Sequence, residues 1–174
     1  MSTTKKIALT GVFTALAVAL SYVEFLVPIT FVPVPGFKLG IANLAIMAAL
    51  FFLGPFEAAA VSALRLVLTL FLFSNVNAFF YSVCGALLSL AVMIIIKKTT
   101  FFSEIGTSVS GAVFHNIGQI ALASLILKGS GIWYYFPALM LAGTLTGTVN
   151  GLILRFASGP LGKIFKTSGV QTGQ

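Results

Sequence analysis

Six apolar stretches follow one another along this chain, at about residues 7–27, 39–54, 57–73, 77–96, 106–127 and 133–156. An α-helix needs about 20 predominantly apolar residues to cross a bilayer. The second and third stretches lie near the lower limit and are parted only by a Gly54-Pro55 turn. Charged residues make up 7% of the 174 residues, against about 25% in a soluble domain. The fold class this implies is all-α, an integral membrane bundle of six transmembrane helices. One membrane domain is expected over residues 1–166, with a flexible C-terminal tail at 167–174. The first apolar run outlasts the h-region of a signal peptide and is expected to remain as a span.

The formal charge of +7 would suit nucleic acid only if it formed a patch, and it does not. With the N-terminus in the cytoplasm, Lys5, Lys6, Lys97, Lys98, Arg155, Lys163 and Lys166 all fall on the inner side. Lys38 and Lys128 fall outside, and Arg65 lies within the third span. That asymmetry obeys the positive-inside rule. It predicts a multi-pass protein of a prokaryotic cytoplasmic membrane with both termini inside and no nucleic-acid partner. The single cysteine, Cys84, excludes an internal disulfide. Its apolar segment predicts a small buried core residue.

Between the first two spans runs PITFVPVPGFKLGIANL, residues 28–44. Pro28, Pro33 and Pro35 each lack a backbone donor, so no regular helix crosses this stretch. Irregular backbone at membrane depth is tolerated only against protein or a water-filled cavity. Pro33, Pro35, Gly36 and Phe37 are therefore expected to form a lid over a pocket open to the outer face. The plainer alternative is a Pro-rich turn, although connections in bundles are usually shorter.

Ionisable residues inside a membrane are functional candidates by default, because each costs at least about 2.5–3.5 kcal/mol to insert. Arg65 sits near mid-depth in the third span, and His115, with Asn116 and Gln119, in the fifth. Glu24 ends the first span, Lys38 and Asn43 open the second, and Asn75 and Asn77 flank the turn after the third. Residues 115 and 119 share a helix face, and Asn116 is turned away by roughly 100°. The candidate ligand contacts are Arg65, Lys38, Asn43, His115 and Gln119. Two cations and several amides suit an anionic or strongly hydrogen-bonding small molecule, with phenylalanines such as Phe31, Phe37, Phe73, Phe79 and Phe80 as an apolar wall. Arg65, His115 and Asn150 have structural alternatives. Arg65 would be neutralised by Glu24, His115 would be a satisfied core histidine, and Asn150 would bond between helices.

Small residues recur every fourth position on two spans. Gly11, Ala15 and Ala19 share one face of the first, suited either to packing within the bundle or to docking a separate subunit. Gly143, Gly147 and Gly151 on the sixth predict close packing inside the bundle. Catalytic chemistry finds little support. There is no aspartate, and Glu24, Glu57 and Glu104 are the only acids, so no carboxylate pair is expected for acid–base work or metal binding. No Gly-x-x-x-x-Gly-Lys-Ser/Thr loop is present, so active transport would draw on a partner or an ion gradient, the latter through a proton relay at His115. No catalytic residue, metal or cofactor is assigned.

The Lys-Lys-Ile start, the small-residue first helix, six compact spans and a lid-like first loop resemble the substrate-binding S components of energy-coupling-factor vitamin transporters. More narrowly, PVPGFKLGIANL (33–44) with HNIGQ (115–119) looks like the Gx transporter family, also labelled heptaprenyl diphosphate synthase component I. The resemblance covers essentially the whole chain. It implies a subunit that captures a vitamin-like, flavin or isoprenoid-related molecule from outside, with the lid closing over it. Gly11, Ala15 and Ala19 would dock an energising membrane subunit driven by two ATPases. Polyprenyl synthases hold Mg²⁺–diphosphate through aspartate-rich motifs, which this chain lacks, so the enzyme label fits the residues poorly. A membrane accessory protein serving quinone or flavin electron transfer is the alternative from another class, with a subunit of prenyl diphosphate synthesis ranked last.

Overall fold

The computed structural model describes residues 2–26, 38, 40–99, 102–127 and 130–167. They form six helices: α1 (Thr3–Leu26), α2 (Asn43–Phe52), α3 (Pro55–Leu72), α4 (Val76–Thr99), α5 (Glu104–Leu127) and α6 (Phe136–Thr167). A tight helical turn, Ser130–Tyr135, leads into α6. Five helices are long and apolar enough to cross a membrane. The expected lid residues Pro33, Pro35, Gly36 and Phe37 lie outside the described residues, as does the tail beyond Thr167.

Of the six expected spans, the second (α2), already near the lower limit by apolar length, is not among the helices long enough to cross. It has only 10 residues, which span about 15 Å, half a bilayer core. Eight of them are buried, because α2 is packed among α1, α3, α5 and α6. A helix apolar on every side is a core element, and Ile46, Met47, Ala49 and Leu50 form the centre of the main apolar cluster. The backbone sets both ends. Before α2, Gly40 takes a left-handed φ of 89°, and its carbonyl accepts the Asn43 N–H. After it, the Gly54 N–H returns to the Ala49 carbonyl, Gly54 turns at φ 127°, and Pro55 opens α3. Proline suits a first helical turn, where its missing N–H has no partner to lose.

Polar ties hold the end of the bundle where α1 and α3 begin and α2 and α4 finish. Lys6 Nζ donates to Glu57 Oε1 at 2.7 Å. Lys97 Nζ donates to the Leu50 carbonyl at 2.7 Å, placing a cation on the C-terminal turn of α2. It also stands 5.1 Å from the centroid of the Phe51 ring.

The two small-residue faces separate. On α6 a Cβ at Gly147 would stand 2.6 Å from the Val109 Cα, and one at Gly151 2.6 Å from the Ile105 Cα. The partner of that seam is therefore α5. On α1 the buried face is Phe13, Thr14, Ala17, Ser21 and Glu24. Gly11, Ala15 and Ala19 are exposed, and a Cβ at Gly11 would meet nothing within 4 Å. Packing within the bundle does not account for that face. Cys84, expected in the core, is half-buried. Its segment turns backbone inward there, with the Cys84 carbonyl 2.7 Å from where a Cβ on Gly118 would stand.

Candidate functional site

A buried polar layer lies where α1 ends and α2 starts. Its centre is Arg65 on α3, 3% exposed. Nη1 makes one long bond, 3.4 Å, to Ser21 Oγ on α1, while Nε and Nη2 have no partner among the described residues. One turn further along α1 is Glu24, also buried. Its Oε1 accepts the Gly40 N–H at 2.6 Å and the Ile41 N–H at 2.7 Å, and its Oε2 has no partner among the described residues.

Arg65 and Glu24 are within electrostatic reach, yet they form no salt bridge, since no nitrogen–oxygen distance between them is 4.0 Å or less. The structural alternative for Arg65, neutralisation by direct pairing, is not what the geometry holds. Glu24 instead places a carboxylate on the amides that precede α2, where the backbone dipoles favour negative charge. Asn150 on α6 donates to the Gly40 carbonyl at 3.1 Å, so its bond runs to this loop. Gly40 is thus held on both its N–H and its C=O.

From the other side, the Lys38 N–H donates to Gln119 Oε1 in a long 3.4 Å bond. Gln119 Nε2 lies 2.8 Å from His115 Nε2. The His115 ring also bonds to the backbone of Gly85 on α4. With Nδ1–H donating to that carbonyl, Nε2 accepts from Gln119, and the Gln119 oxygen is left for Lys38. His115 is in this sense a satisfied histidine, and its bonds orient the residue that holds Lys38. The arrangement depends on Gly85, where a Cβ would lie 2.8 Å from the His115 carbonyl oxygen and 2.9 Å from ring Cε1. Lys38 is buried and feels both Arg65 and Glu24.

Of the five candidate contacts, Arg65, Lys38, Gln119 and His115 are therefore linked into one region. Asn43 faces α4, donating to Ser89 Oγ at 3.2 Å and approaching Met93 Sδ at 3.7 Å. Asn116 turns away from His115 as its spacing requires, and donates to the Leu139 carbonyl at 2.7 Å. Asn75 caps α4 through the Ala78 N–H. Of the aromatic residues, Phe73 packs on Tyr22 and Phe25, and Phe79 on Phe80. Ser21 and Gly85 belong to the site without having been singled out. Ser21 shared a face with Glu24, but nothing in the sequence marks Gly85. Among the described residues, no three His, Cys, Asp or Glu side chains gather to hold a metal ion.

Residues 13–157 match a family described as heptaprenyl diphosphate synthase component I. No curated protein matches the chain. No solved structure matches it either.

Proposed function

The chain belongs to the heptaprenyl diphosphate synthase component I family, and we propose that it serves as a ligand-capturing membrane subunit, the S component of an energy-coupling-factor type importer. It would take a small vitamin-like, flavin or isoprenoid-related molecule from the outer face of a prokaryotic cytoplasmic membrane. The observation that carries this reading is Arg65. A guanidinium buried in a membrane bundle with two nitrogens unpartnered among the described residues is costly unless something supplies the missing bonds. The exposed Gly11, Ala15 and Ala19 face supports docking to an energising subunit, since small residues let another helix approach closely. The protein itself is not an enzyme in this reading.

The family description supports a second reading, in which the chain partners the other component of a prenyl diphosphate synthase. With no aspartate, it would contribute Arg65 and Lys38 to anion binding and leave Mg²⁺ chemistry to its partner.

Affinity purification from native membranes in mild detergent tests both readings. The importer reading expects an energising membrane subunit with its ATPases to copurify, and to be lost on Ala15→Leu or Ala19→Leu. It also expects a discrete small mass by native mass spectrometry, absent from Arg65→Ala. A copurifying soluble synthase indifferent to Ala15→Leu would overturn it in favour of the second reading.

A further inference from the structure

Arg65 and Glu24 carry opposite charges, and both are pinned by bonds to something else. The Ser21 hydroxyl holds Arg65 by Nη1, and the Gly40 and Ile41 amides hold Glu24 by Oε1. Ser21 and Glu24 are three positions apart on α1, so the two anchor points are neighbours on one helix face, with Cβ atoms roughly 5–6 Å apart. What is left over is specific. Nε and Nη2 of Arg65 form one edge of the planar guanidinium, the edge that makes two parallel hydrogen bonds to a carboxylate or phosphate. Oε2 of Glu24 is an acceptor with no partner among the described residues, on the same side chain that holds Gly40 and Ile41. With Lys38 also buried here, formal charges of two cations and one anion leave the layer net positive.

We propose that the ligand is an acid that seats two oxygens of a carboxylate or phosphate on Arg65 Nε and Nη2, while an N–H or O–H of the same molecule donates to Glu24 Oε2. A net negative molecule of this kind balances the layer and satisfies the three orphaned atoms together. The inference deepens the ligand-capture reading and rests on it, but does not depend on which subunit energises transport.

Small probes test it on the full-length protein, purified in uncharged detergent at constant ionic strength. Acetate, inorganic phosphate, glycolate and acetamide are titrated against the thermal unfolding midpoint of wild type, Arg65→Met and Glu24→Gln. Acetate or phosphate is expected to raise the wild-type midpoint by about 2–4 °C at about five times its Kd. Acetamide, the uncharged isostere of acetate, does not, and Arg65→Met abolishes the response. The larger of the acetate and phosphate shifts tells which acid the site prefers. Glycolate, a net negative acid with an O–H donor in the same molecule, is expected to exceed acetate in wild type and to equal it in Glu24→Gln. If Glu24→Gln fails to fold, acetate against acetamide decides the Arg65 contact and glycolate against acetate in wild type decides the Glu24 contact, which equal glycolate and acetate shifts would overturn. Acetamide matching acetate, or an acid response retained in Arg65→Met, would overturn the acid while leaving a ligand site. No response to any probe, with Arg65→Met destabilised, would overturn both the acid and the ligand-capture reading.

Discussion

The carboxylate of Glu24 grips the backbone of Gly40, with Oε1 2.6 Å from the amide nitrogen, sixteen residues along the chain. That contact, shared with Ile41, holds the backbone just before α2 begins. Hydrogen bonds to a charged group contribute about 1.5–3 kcal/mol each, with a further cost when a buried donor is orphaned. Glu24→Ala is accordingly expected to lower stability by about 2–4 kcal/mol. Glu24→Gln, which keeps an acceptor oxygen, should cost roughly half as much. Thermal unfolding in detergent reads the size, and hydrogen exchange over residues 40–44 reads the place. An alanine variant with wild-type stability and protection would mean that the contact does not hold the loop.

The glycine seam between α5 and α6 makes a sharper contrast. At Gly147 and Gly151 the obstructing atoms are Cα atoms of Val109 and Ile105, both at 2.6 Å, and backbone cannot swing aside as a side chain can. Gly147→Ala or Gly151→Ala should cost about 1–3 kcal/mol through overpacking. Gly11→Ala meets open space and should be neutral, or stabilising by up to about 1 kcal/mol through helix propensity. Equal unfolding midpoints for the two classes of variant would contradict the seam.

Lys38, outside the helices, supplies a pH dependence. Burial pushes its ammonium down from 10.5 to about 8, Arg65 adds to the depression, and Glu24 opposes it. Between those values the unfolded chain binds the proton and the folded chain does not, so this residue's contribution to stability rises with pH from about 8 to 10.5 and is lost as pH falls through 8. Binding of an anion should run the other way and weaken above about pH 8, as the positive charge disappears. Lys38→Met is expected to flatten both curves. Unfolding midpoints and acetate titrations from pH 7 to 10, wild type against variant, check the two signs, and parallel wild-type and variant curves would refute the assignment.

The long helices were legible because apolar length alone forces them in a bilayer. The divergence of Asn116 from His115 and Gln119 followed equally directly from helical spacing. That the second stretch is short was legible, but not that its helix has only 10 residues. The run 39–54 reads as a span, and what ends its helix at Asn43 is a left-handed Gly40 held by Glu24 and Asn150, which are distant in sequence. The same dependence hid the arrangement of Glu24. Sequence pairs the buried acid with the buried base, whereas main-chain amides take one of its oxygens and leave the base open. Gly85 was invisible for a related reason, because its smallness matters only once the His115 ring is packed against it.

The chain of bonds from Gly85 through His115 and Gln119 to Lys38 should behave as one unit. Removing either His115 or Gln119 leaves the other with an unsatisfied buried atom, so each single replacement should cost about 1–3 kcal/mol. Once one is gone, the second has less left to lose. A double-mutant cycle with His115→Leu and Gln119→Leu should therefore show a coupling of about 0.5–3 kcal/mol, where independent sites would add to within about 0.3–0.5 kcal/mol. Additive losses would mean that His115 packs as an isolated core residue and that Lys38 is positioned by other contacts. A coupling in the expected range, with acetate binding weakened in His115→Leu although the imidazole already has both partners, would identify His115 as a positioning residue acting through Gln119.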